Sequence, residues 1–197
     1  MKTIIGWDIG GAHLKAVRLE NGLITRAVQL PSPLWLGLNK LEAAFATAIR
    51  RIGASARHAA TMTGELADVF ASRSEGVQGL AHLASRCLDA DDIGFYAGPA
   101  GFLRIDDLAD HIAEIASANW HASARFAASA LRHGLFVDVG STTTDLVPLA
   151  DGEVVASGYT DAERLMTGEL VYTGMVRSFL MSVAPNVPFR GHSMPLM

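Results

Sequence analysis

Short stretches of alternating apolar and polar residues open the chain. They predict three strands, over Thr3–Asp8, Leu14–Leu19 and Leu23–Gln29. Gly10-Gly11 marks a tight turn after the first strand, and Asn21-Gly22 is a strong hairpin signal after the second. The chain therefore begins β-β-β.

A helical period follows. From Leu38 to Ile52 apolar residues recur at three- and four-residue steps, as in a helix that packs on a sheet. The pattern then predicts a strand over Ala59–Met62, helical sequence over Glu65–Leu88 interrupted near Gly76, and a strand over Ile93–Ala97. These elements alternate between strand and helix.

Two further helical segments extend this series. Asp106 is the expected N-cap of a helix with Leu108, Ile112 and Ile115 facing inward, and the alanine-rich run Trp120–Leu131 also has helical composition. The predicted order is βββαβαβα, which belongs to the α/β class.

The strand-turn-strand pattern then starts again. Strands are expected over Leu135–Val139, Thr144–Leu149 and Glu153–Ser157, with turns at Gly140-Ser141-Thr142 and Asp151-Gly152. This restart predicts a second lobe, so we divide the chain into a first lobe over residues 1–133 and the start of an incomplete one over 134–197.

The last part of the chain lacks strand alternation. Thr160 or Asp161 is expected to cap a helical turn, and Gly168–Leu180 is expected to form a core helix. The stretch that follows is rich in proline and is predicted to be irregular. The residues expected to face inward on that helix are Leu170, Met175, Val176 and Phe179.

Composition and charge narrow the classes of function. The 197 residues include 16 Lys+Arg and 20 Asp+Glu, for a net charge of −4, and no basic cluster. We therefore expect no nucleic-acid partner, no membrane partner and a small-molecule ligand. The single cysteine, Cys87, excludes an intrachain disulfide framework, and with no secretory signal or membrane-spanning segment in the sequence it favours a cytoplasmic location.

Candidate chemistry lies at the two repeated turns. Gly10-Gly11 and Gly140-Ser141-Thr142-Thr143 can present several backbone N–H groups to phosphate oxygens. Asp8, Asp138 and Asp145 at the strand ends are candidate Mg²⁺ ligands, and turn capping is the alternative role for the first two. The Walker-A, dinucleotide and nucleophile-elbow motifs do not occur.

These residues also carry a family resemblance. The segments 8–15 and 137–145 resemble the two phosphate motifs of the actin/sugar kinase/Hsp70 superfamily, whose first lobe has the βββαβαβα order. The segments 62–68, 119–122 and 160–174 resemble hydantoinase/oxoprolinase-like proteins linked to tetrahydromethanopterin C1 transfer. The narrower likeness covers nearly the whole chain.

The resemblance implies a fold and a reaction. The fold is an actin-like ATPase, or ribonuclease H-like, lobe followed by the start of a truncated second lobe. The reaction is a Mg²⁺-dependent transfer in methanofuran or methylofuran biosynthesis, joining an aminomethylfuran-methyl diphosphate to the phenol of glutamyltyramine and releasing pyrophosphate. Lys15 is expected to neutralise phosphate charge, and His121 and Glu169 are candidate bases for the phenol. Hydrogen bonding to a helix end is the alternative for His121, and helix initiation is the alternative for Glu169.

Three functions stay open at this point. Besides the transferase, the turns suit an ATP-dependent kinase or hydrolase of the superfamily, with ATP as cofactor, or a non-catalytic phosphate-binding or scaffold protein. The Gly-rich adenosine-binding segment of the superfamily's second lobe does not occur in the sequence. Enzyme activity is therefore expected of a full-length protein, and a homo-oligomer or a partner that supplies the missing lobe is expected.

Overall fold

The computed structural model describes residues 3–90, 92–176, 178 and 180–196. The chain divides into two compact units, Met1–Ala122 and Ser123–Met197. The sequence placed a boundary between residues 133 and 134, after the alanine-rich helix, and that division stays a prediction.

A six-stranded sheet forms the first unit. Its strands are β1 (Thr3–Ile9), β2 (His13–Glu20), β3 (Leu23–Pro31), β4 (Arg57–Met62), β5 (Asp92–Tyr96) and β6 (Phe102–Leu103). The order is β3-β2-β1-β4-β5-β6, with β1 antiparallel to β2 and parallel to β4, and β4 parallel to β5. This mixed sheet confirms the predicted α/β class and its ribonuclease H-like lobe. The carboxyl ends of β1, β4 and β5 meet at one edge, where open α/β sheets bind ligands.

Helices follow the strands of this sheet. They are α1 (Asn39–Ile52), α2 (Arg73–Leu88), α3 (Ile112–Ile115) and α4 (Asn119–Ala130), with 3₁₀ turns over Leu34–Leu36, Gly98–Ala100 and Ile105–Asp110. The apolar stripe of α1 is buried as predicted, and the rings of Phe45 and Trp7 lie 5.0 Å apart between α1 and β1. This contact lies in the core of the unit.

Two predicted helices of the first unit are shorter than the sequence suggested. The helical segment expected from Glu65 begins only at Arg73, because the side chain of Ser72 caps α2 by accepting the Glu75 N–H. Gly76 lies inside α2, where a Cβ would overlap the main chain of Glu65. The helix expected from Asp106 is instead a 3₁₀ turn followed by α3.

The second unit contains a smaller sheet and a hairpin. Its elements are β7 (Gly134–Val139), β8 (Thr144–Ala150), β9 (Glu153–Val154), α5 (Asp161–Thr167), β10 (Leu170–Val171), α6 (Leu180–Val183), β11 (Asn186–Phe189) and β12 (His192–Pro195). The sheet has the order β10-β8-β7, with β9 also paired to β8, and β11 pairs with β12. The helices in the described ranges include none that is long and apolar enough to span a membrane.

The prediction of a core helix over residues 168–180 is wrong. Gly168, at φ +76°, ends α5, and Leu170 pairs with β8 in the sheet, where it is buried. Met175 and Val176 are 80% and 75% exposed instead of inward. Phe179 lies outside the described residues. A strand contact therefore replaces the helix that the apolar spacing suggested.

The end of the chain is also more regular than predicted. β11 and β12 form an antiparallel hairpin through Arg190 and Gly191, both at positive φ. Pro188 and Pro195 lie in these strands, which form a two-stranded sheet in which every residue is at the edge, a position that tolerates proline. The proline content therefore did not exclude a hairpin.

Candidate phosphate-binding turns

The first turn joins β1 to β2. The Gly10 N–H donates to the His13 carbonyl at 3.0 Å, which closes a four-residue turn. A Cβ at Gly10 would lie 2.8 Å from that same carbonyl oxygen, closer than real Cβ atoms come. The tight closure of the turn therefore requires glycine at this position.

The second turn joins β7 to β8 in the same way. The Gly140 N–H donates to the Thr143 carbonyl at 2.8 Å, and a Cβ at Gly140 would lie 3.1 Å from that oxygen. The repeat predicted from the sequence thus extends to the closing hydrogen bond and to its steric demand.

Two carbonyl groups of the first turn accept hydrogen bonds from the segment that follows β3. The Gly11 carbonyl accepts the Leu34 N–H and the Ala12 carbonyl accepts the Ser32 N–H, both at 2.9 Å. The N–H groups of Gly11 and Ala12 have no acceptor in the part of the chain that the structure describes. The turn therefore offers donors and has its acceptors occupied.

The second turn has the same hydrogen-bonding pattern. The Gly140 and Ser141 carbonyls accept the N–H groups of Met175 and Val176, each at 3.0 Å. Across residues 3–90, 92–176, 178 and 180–196, the N–H groups of Ser141 and Thr142 meet no acceptor. Successive backbone N–H groups of this kind suit an anion, because several N–H dipoles can point at one negatively charged group.

A glycine from elsewhere in each unit lies against each turn. A Cβ at Gly64 would lie 3.2 Å from the Gly10 carbonyl carbon and 3.3 Å from the Gly11 nitrogen. A Cβ at Gly174 would lie 2.5 Å from the Thr142 nitrogen. The contact of these two glycines with the turns was not predicted from the sequence. The available signal was that each follows a threonine, in Thr-Gly pairs that recur along the chain.

The charged residues at the first turn pair with each other. Asp8 and Lys15 lie opposite each other in the β1–β2 register, and the Lys15 Nζ donates to Asp8 Oδ2 at 2.9 Å. The Thr61 hydroxyl lies 3.5 Å from the other oxygen, Asp8 Oδ1. The predicted phosphate-neutralising lysine and the predicted metal ligand thus form one ion pair beside the turn.

At the second turn the equivalent register position holds two aspartates. Asp138 lies opposite Asp145 in the β7–β8 register. Asp145 Oδ1 accepts a hydrogen bond from Arg164 Nη1 at 2.8 Å. Arg164 is fully buried, while Asp138 is exposed. Burial raises the pKa of the Asp145 carboxyl, although the hydrogen bond from Arg164 acts in the opposite direction. Asp145 therefore already has a cationic partner.

Neither unit alone brings together enough candidate ligands for a metal ion among its described residues. In the described ranges, no three His, Cys, Asp or Glu side chains gather into a group that could hold a metal ion. The predicted site takes Asp8 from the first unit and Asp138 and Asp145 from the second. It stays a prediction.

His121, a candidate base, is buried near the start of α4. Its Nδ1 lies 2.8 Å from the Tyr96 hydroxyl at the end of β5, and the Trp120 ring stands edge-on to the imidazole at 5.3 Å. A Cβ at Gly98 would lie 3.9 Å from the ring, so the loop after β5 passes close to it. These contacts fix the ring, and its catalytic role stays a prediction.

Glu169, the other candidate base, is bound to backbone N–H groups. Its Oε1 accepts the Ser157 N–H at 2.7 Å and its Oε2 accepts the Gly158 N–H at 3.1 Å. Glu169 follows the end of α5, so the helix-initiation alternative is wrong. Because both oxygens hold the loop after β9, this geometry favours a positioning role, and the catalytic role stays a prediction.

Comparison with known proteins identifies a family and two curated relatives. The hydantoinase/oxoprolinase family model matches residues 57–194. The (4-{4-[2-(gamma-L-glutamylamino)ethyl]phenoxymethyl}furan-2-yl)methanamine synthase of Methanocaldococcus jannaschii is 32% identical over 190 residues, which are 95% of this chain and 56% of that protein. The synthase of the same name from Methanococcus vannielii is 46% identical over 56 residues, which are 28% of this chain and 25% of that protein.

A solved structure is also similar. Ethanolamine utilization protein EutJ from Carboxydothermus hydrogenoformans aligns with a TM-score of 0.45 and 14% identity, over 79% of this chain and 50% of that one. The chain spans about half the length of the M. jannaschii synthase. Since the family model covers well over half of the residues, the chain belongs to the hydantoinase/oxoprolinase family.

Proposed function

We propose that this chain supplies the diphosphate-binding part of a Mg²⁺-dependent transferase in methanofuran-type cofactor biosynthesis. The observation that carries the proposal is the repeated turn, in which two carbonyls accept hydrogen bonds and two N–H groups meet no acceptor among the residues that the structure describes. Family membership and the names of the two synthases supply the reaction class.

The name of those synthases gives the compound that is formed, and the furan diphosphate that would supply it is what the family resemblance implies. That compound contains a phenoxymethyl ether between a glutamylated tyramine and a furan. In the proposed step the phenol oxygen attacks the furan methylene carbon, the carbon–oxygen bond to diphosphate breaks, and pyrophosphate leaves with the bonding electrons. A base accepts the phenol proton, so atoms and charges balance.

The turns would act on the leaving group. Negative charge grows on the bridging oxygen as the carbon–oxygen bond breaks, and preorganised N–H donors stabilise such charge. Lys15, beside the first turn, adds a cation. The Mg²⁺ ion would neutralise pyrophosphate charge, and carboxylate oxygens are its preferred ligands. The exposed Asp138 fits this role best, and Asp8 fits it better than Asp145, because the partner of Asp8 is the exposed Lys15 whereas Asp145 is paired with the buried Arg164.

The proton acceptor is proposed to be His121. An imidazole is suited to proton transfer near neutral pH, and its contact with Tyr96 fixes the ring. Glu169 is less suited, because both of its oxygens hold backbone N–H groups.

The test uses the chain as it stands. The purified protein is incubated with the furan diphosphate, glutamyltyramine and Mg²⁺, and pyrophosphate and the ether product are measured. Binding of pyrophosphate and of ATP is measured separately by calorimetry. We expect Mg²⁺-dependent pyrophosphate binding, weakened by about 1–3 kcal/mol in Asp8→Asn and in Asp138→Asn, the scale of a lost charge-assisted contact.

The control and the contrary results are defined by the same assays. Asp151→Asn, at an exposed hairpin turn of the second unit, should leave binding unchanged. Absence of both pyrophosphate release and Mg²⁺-dependent pyrophosphate binding would refute the proposal. Binding and hydrolysis of ATP would instead identify a kinase or hydrolase. Pyrophosphate binding without turnover would support the diphosphate-binding role and show that the chain does not carry out the transfer by itself. Unchanged binding with lowered thermal stability in both Asp variants would make the carboxylates turn caps.

A further inference from the structure

We infer that Gly64 and Gly174 are positioning residues for the two turns, each holding the backbone of one turn so that its N–H donors point away from the unit's own acceptors. The inference rests on the proposed function, because it assigns the turns an anion to bind. It concerns residues that lie against the turn backbone and that are outside the turn sequences.

In the first unit the contact follows the end of β4. The N–H groups of Thr63 and Gly64 both donate to the carbonyl of Ile9, at 3.0 and 3.1 Å, which fixes this pair at the end of β1. The α-carbon of Gly64 then faces the backbone of Gly10 and Gly11. Any side chain at residue 64 would meet that backbone at 3.2–3.3 Å, and the turn would have to shift by a few tenths of an ångström.

In the second unit the contact is tighter. The hydroxyl of Thr144 donates to the Thr173 carbonyl at 2.6 Å, which fixes the Thr173-Gly174 pair beside β8. A Cβ at Gly174 would lie 2.5–2.6 Å from the Thr142 nitrogen and from the Ser141 carbonyl. These are main-chain atoms, so the turn itself must move to admit a side chain.

The two pairs reach the turns by different routes. Gly64 follows a strand parallel to β1, whereas Gly174 follows β10, which is antiparallel to β8. Both routes end with a threonine-glycine pair whose glycine touches turn backbone. This shared end point favours a role in the turns over a role in strand connection.

The experiment substitutes alanine at each glycine and at a matched glycine of the same unit. Gly64→Ala is paired with Gly6→Ala, where the new Cβ would lie 4.0 Å from its nearest neighbour. Gly174→Ala is paired with Gly134→Ala, where nothing lies within 4 Å. Calorimetry measures Mg²⁺-dependent pyrophosphate binding, and ¹⁵N-¹H spectra follow the turn amides, with Ser141 and Thr142 as reporters for Gly174.

We expect Gly64→Ala and Gly174→Ala to weaken pyrophosphate binding by about 10- to 100-fold, the scale of losing one hydrogen bond to a charged group. The amide signals of the adjacent turn should shift, and the two control variants should bind as the wild type does. Unchanged affinity, unmoved turn amides, or a loss of melting temperature with unchanged affinity of the folded protein would each overturn the inference.

Two further outcomes would still distinguish the role of the glycines from the proposed function. If the wild type binds no pyrophosphate, the proposed function fails, and the turn amides alone decide whether the glycines position the turns. If Gly174→Ala does not fold, Gly64→Ala decides. Its closest new contact, at 2.7 Å, is with the end of the flexible Leu34 side chain, and its contacts with turn backbone are milder.

Discussion

The buried side chain of Glu169 stabilises the main chain around it. Glu169 accepts the N–H groups of Ser157 and Gly158, one on each oxygen. Gln at this position keeps one acceptor and places an NH₂ group against the other donor. We expect Glu169→Gln to lower the free energy of unfolding by about 1–3 kcal/mol.

Urea denaturation of the isolated variant checks this value. Glu153→Gln is the control, because Glu153 is an exposed residue paired with Arg125, and it should change stability by less than about 1 kcal/mol. A Glu169→Gln variant with wild-type stability but no transferase activity would show that the carboxylate is the catalytic base instead.

His58 gives the first unit a defined response to pH. Trp7 Nε1 can only donate, so it donates to His58 Nδ1 at 2.9 Å, and the proton on Nε2 is donated to the Ser55 carbonyl at 2.9 Å. This arrangement binds the neutral imidazole. Burial lowers the pKa of His58 below 6.5, although the Ser55 carbonyl and Asp92 act in the opposite direction.

The lowered pKa sets the direction of the effect on stability. Above pH 6.5 the imidazole is neutral in both folded and unfolded chains, so the contribution of His58 is complete. As pH falls below 6.5 the unfolded chain binds the proton first, and stability declines toward the lower folded-state pKa. Urea denaturation from pH 8 to pH 5 should show a smaller acid loss in His58→Gln than in the wild type. An equal loss in both would contradict this prediction.

The sequence predicted the residues of the two turns because their signal is local. The end of a strand, an aspartate, a glycine and the start of the returning strand lie within residues 8–15 and again within 138–145. The contributions of Gly64, Gly174 and Arg164 were missed, since each depends on a contact between segments distant along the chain. No local pattern encodes which carbonyl or carboxylate such a residue will meet.

At the scale of elements, α5 illustrates a well-encoded boundary. The sequence offered Thr160 or Asp161 as its cap, and the structure confirms Thr160. The Thr160 hydroxyl accepts the Glu163 N–H at 3.3 Å, and the Glu163 carboxylate accepts the Thr160 N–H at 3.0 Å. This reciprocal pair is a capping box.

Removing the cap should destabilise the second unit. We expect Thr160→Ala to cost about 1 kcal/mol in the free energy of unfolding, within the range of measured N-cap losses. Thr167→Ala in the same helix is the control, since its hydroxyl only donates to the Arg164 carbonyl, and a loss under about 0.5 kcal/mol is expected. Equal losses in the two variants, measured by thermal unfolding, would mean that the capping box contributes nothing specific.

The wrongly predicted helix over residues 168–180 has a physical cause in long-range pairing. Apolar residues at 170, 175 and 176 have helix-like spacing, but Leu170 is satisfied by pairing with β8, and the segment after it is bound to the second turn. Glycines at 168 and 174 interrupt the period and were the available warning. Long-range pairing overrode a short apolar pattern, whereas the longer stripe of α1 was predicted correctly.

At the scale of the whole molecule, the repeat aligns β7 with β1 residue by residue from their shared Asp-x-Gly ends. The inward residues of β1, Ile5, Trp7 and Ile9, are 0%, 3% and 0% exposed. The residues at the same positions of β7, Leu135, Val137 and Val139, are 57%, 48% and 48% exposed. The same strand design is therefore a core strand in one unit and a surface strand in the other.

This difference predicts unequal effects of matched substitutions. Ile5→Ala removes apolar contacts from a packed core and should lower the free energy of unfolding by about 2–5 kcal/mol. Leu135→Ala, at the equivalent position of β7, should change it by about 0.5 kcal/mol or less, because most of the side chain is already in water. Urea denaturation monitored by a signal from each unit, with light scattering to follow the association state, measures both. A loss of several kcal/mol in Leu135→Ala would mean that this face of β7 is covered in solution. Light scattering would then show whether a second copy of the chain covers it, since covering by self-association requires the dimer mass in the wild type and its loss in the variant.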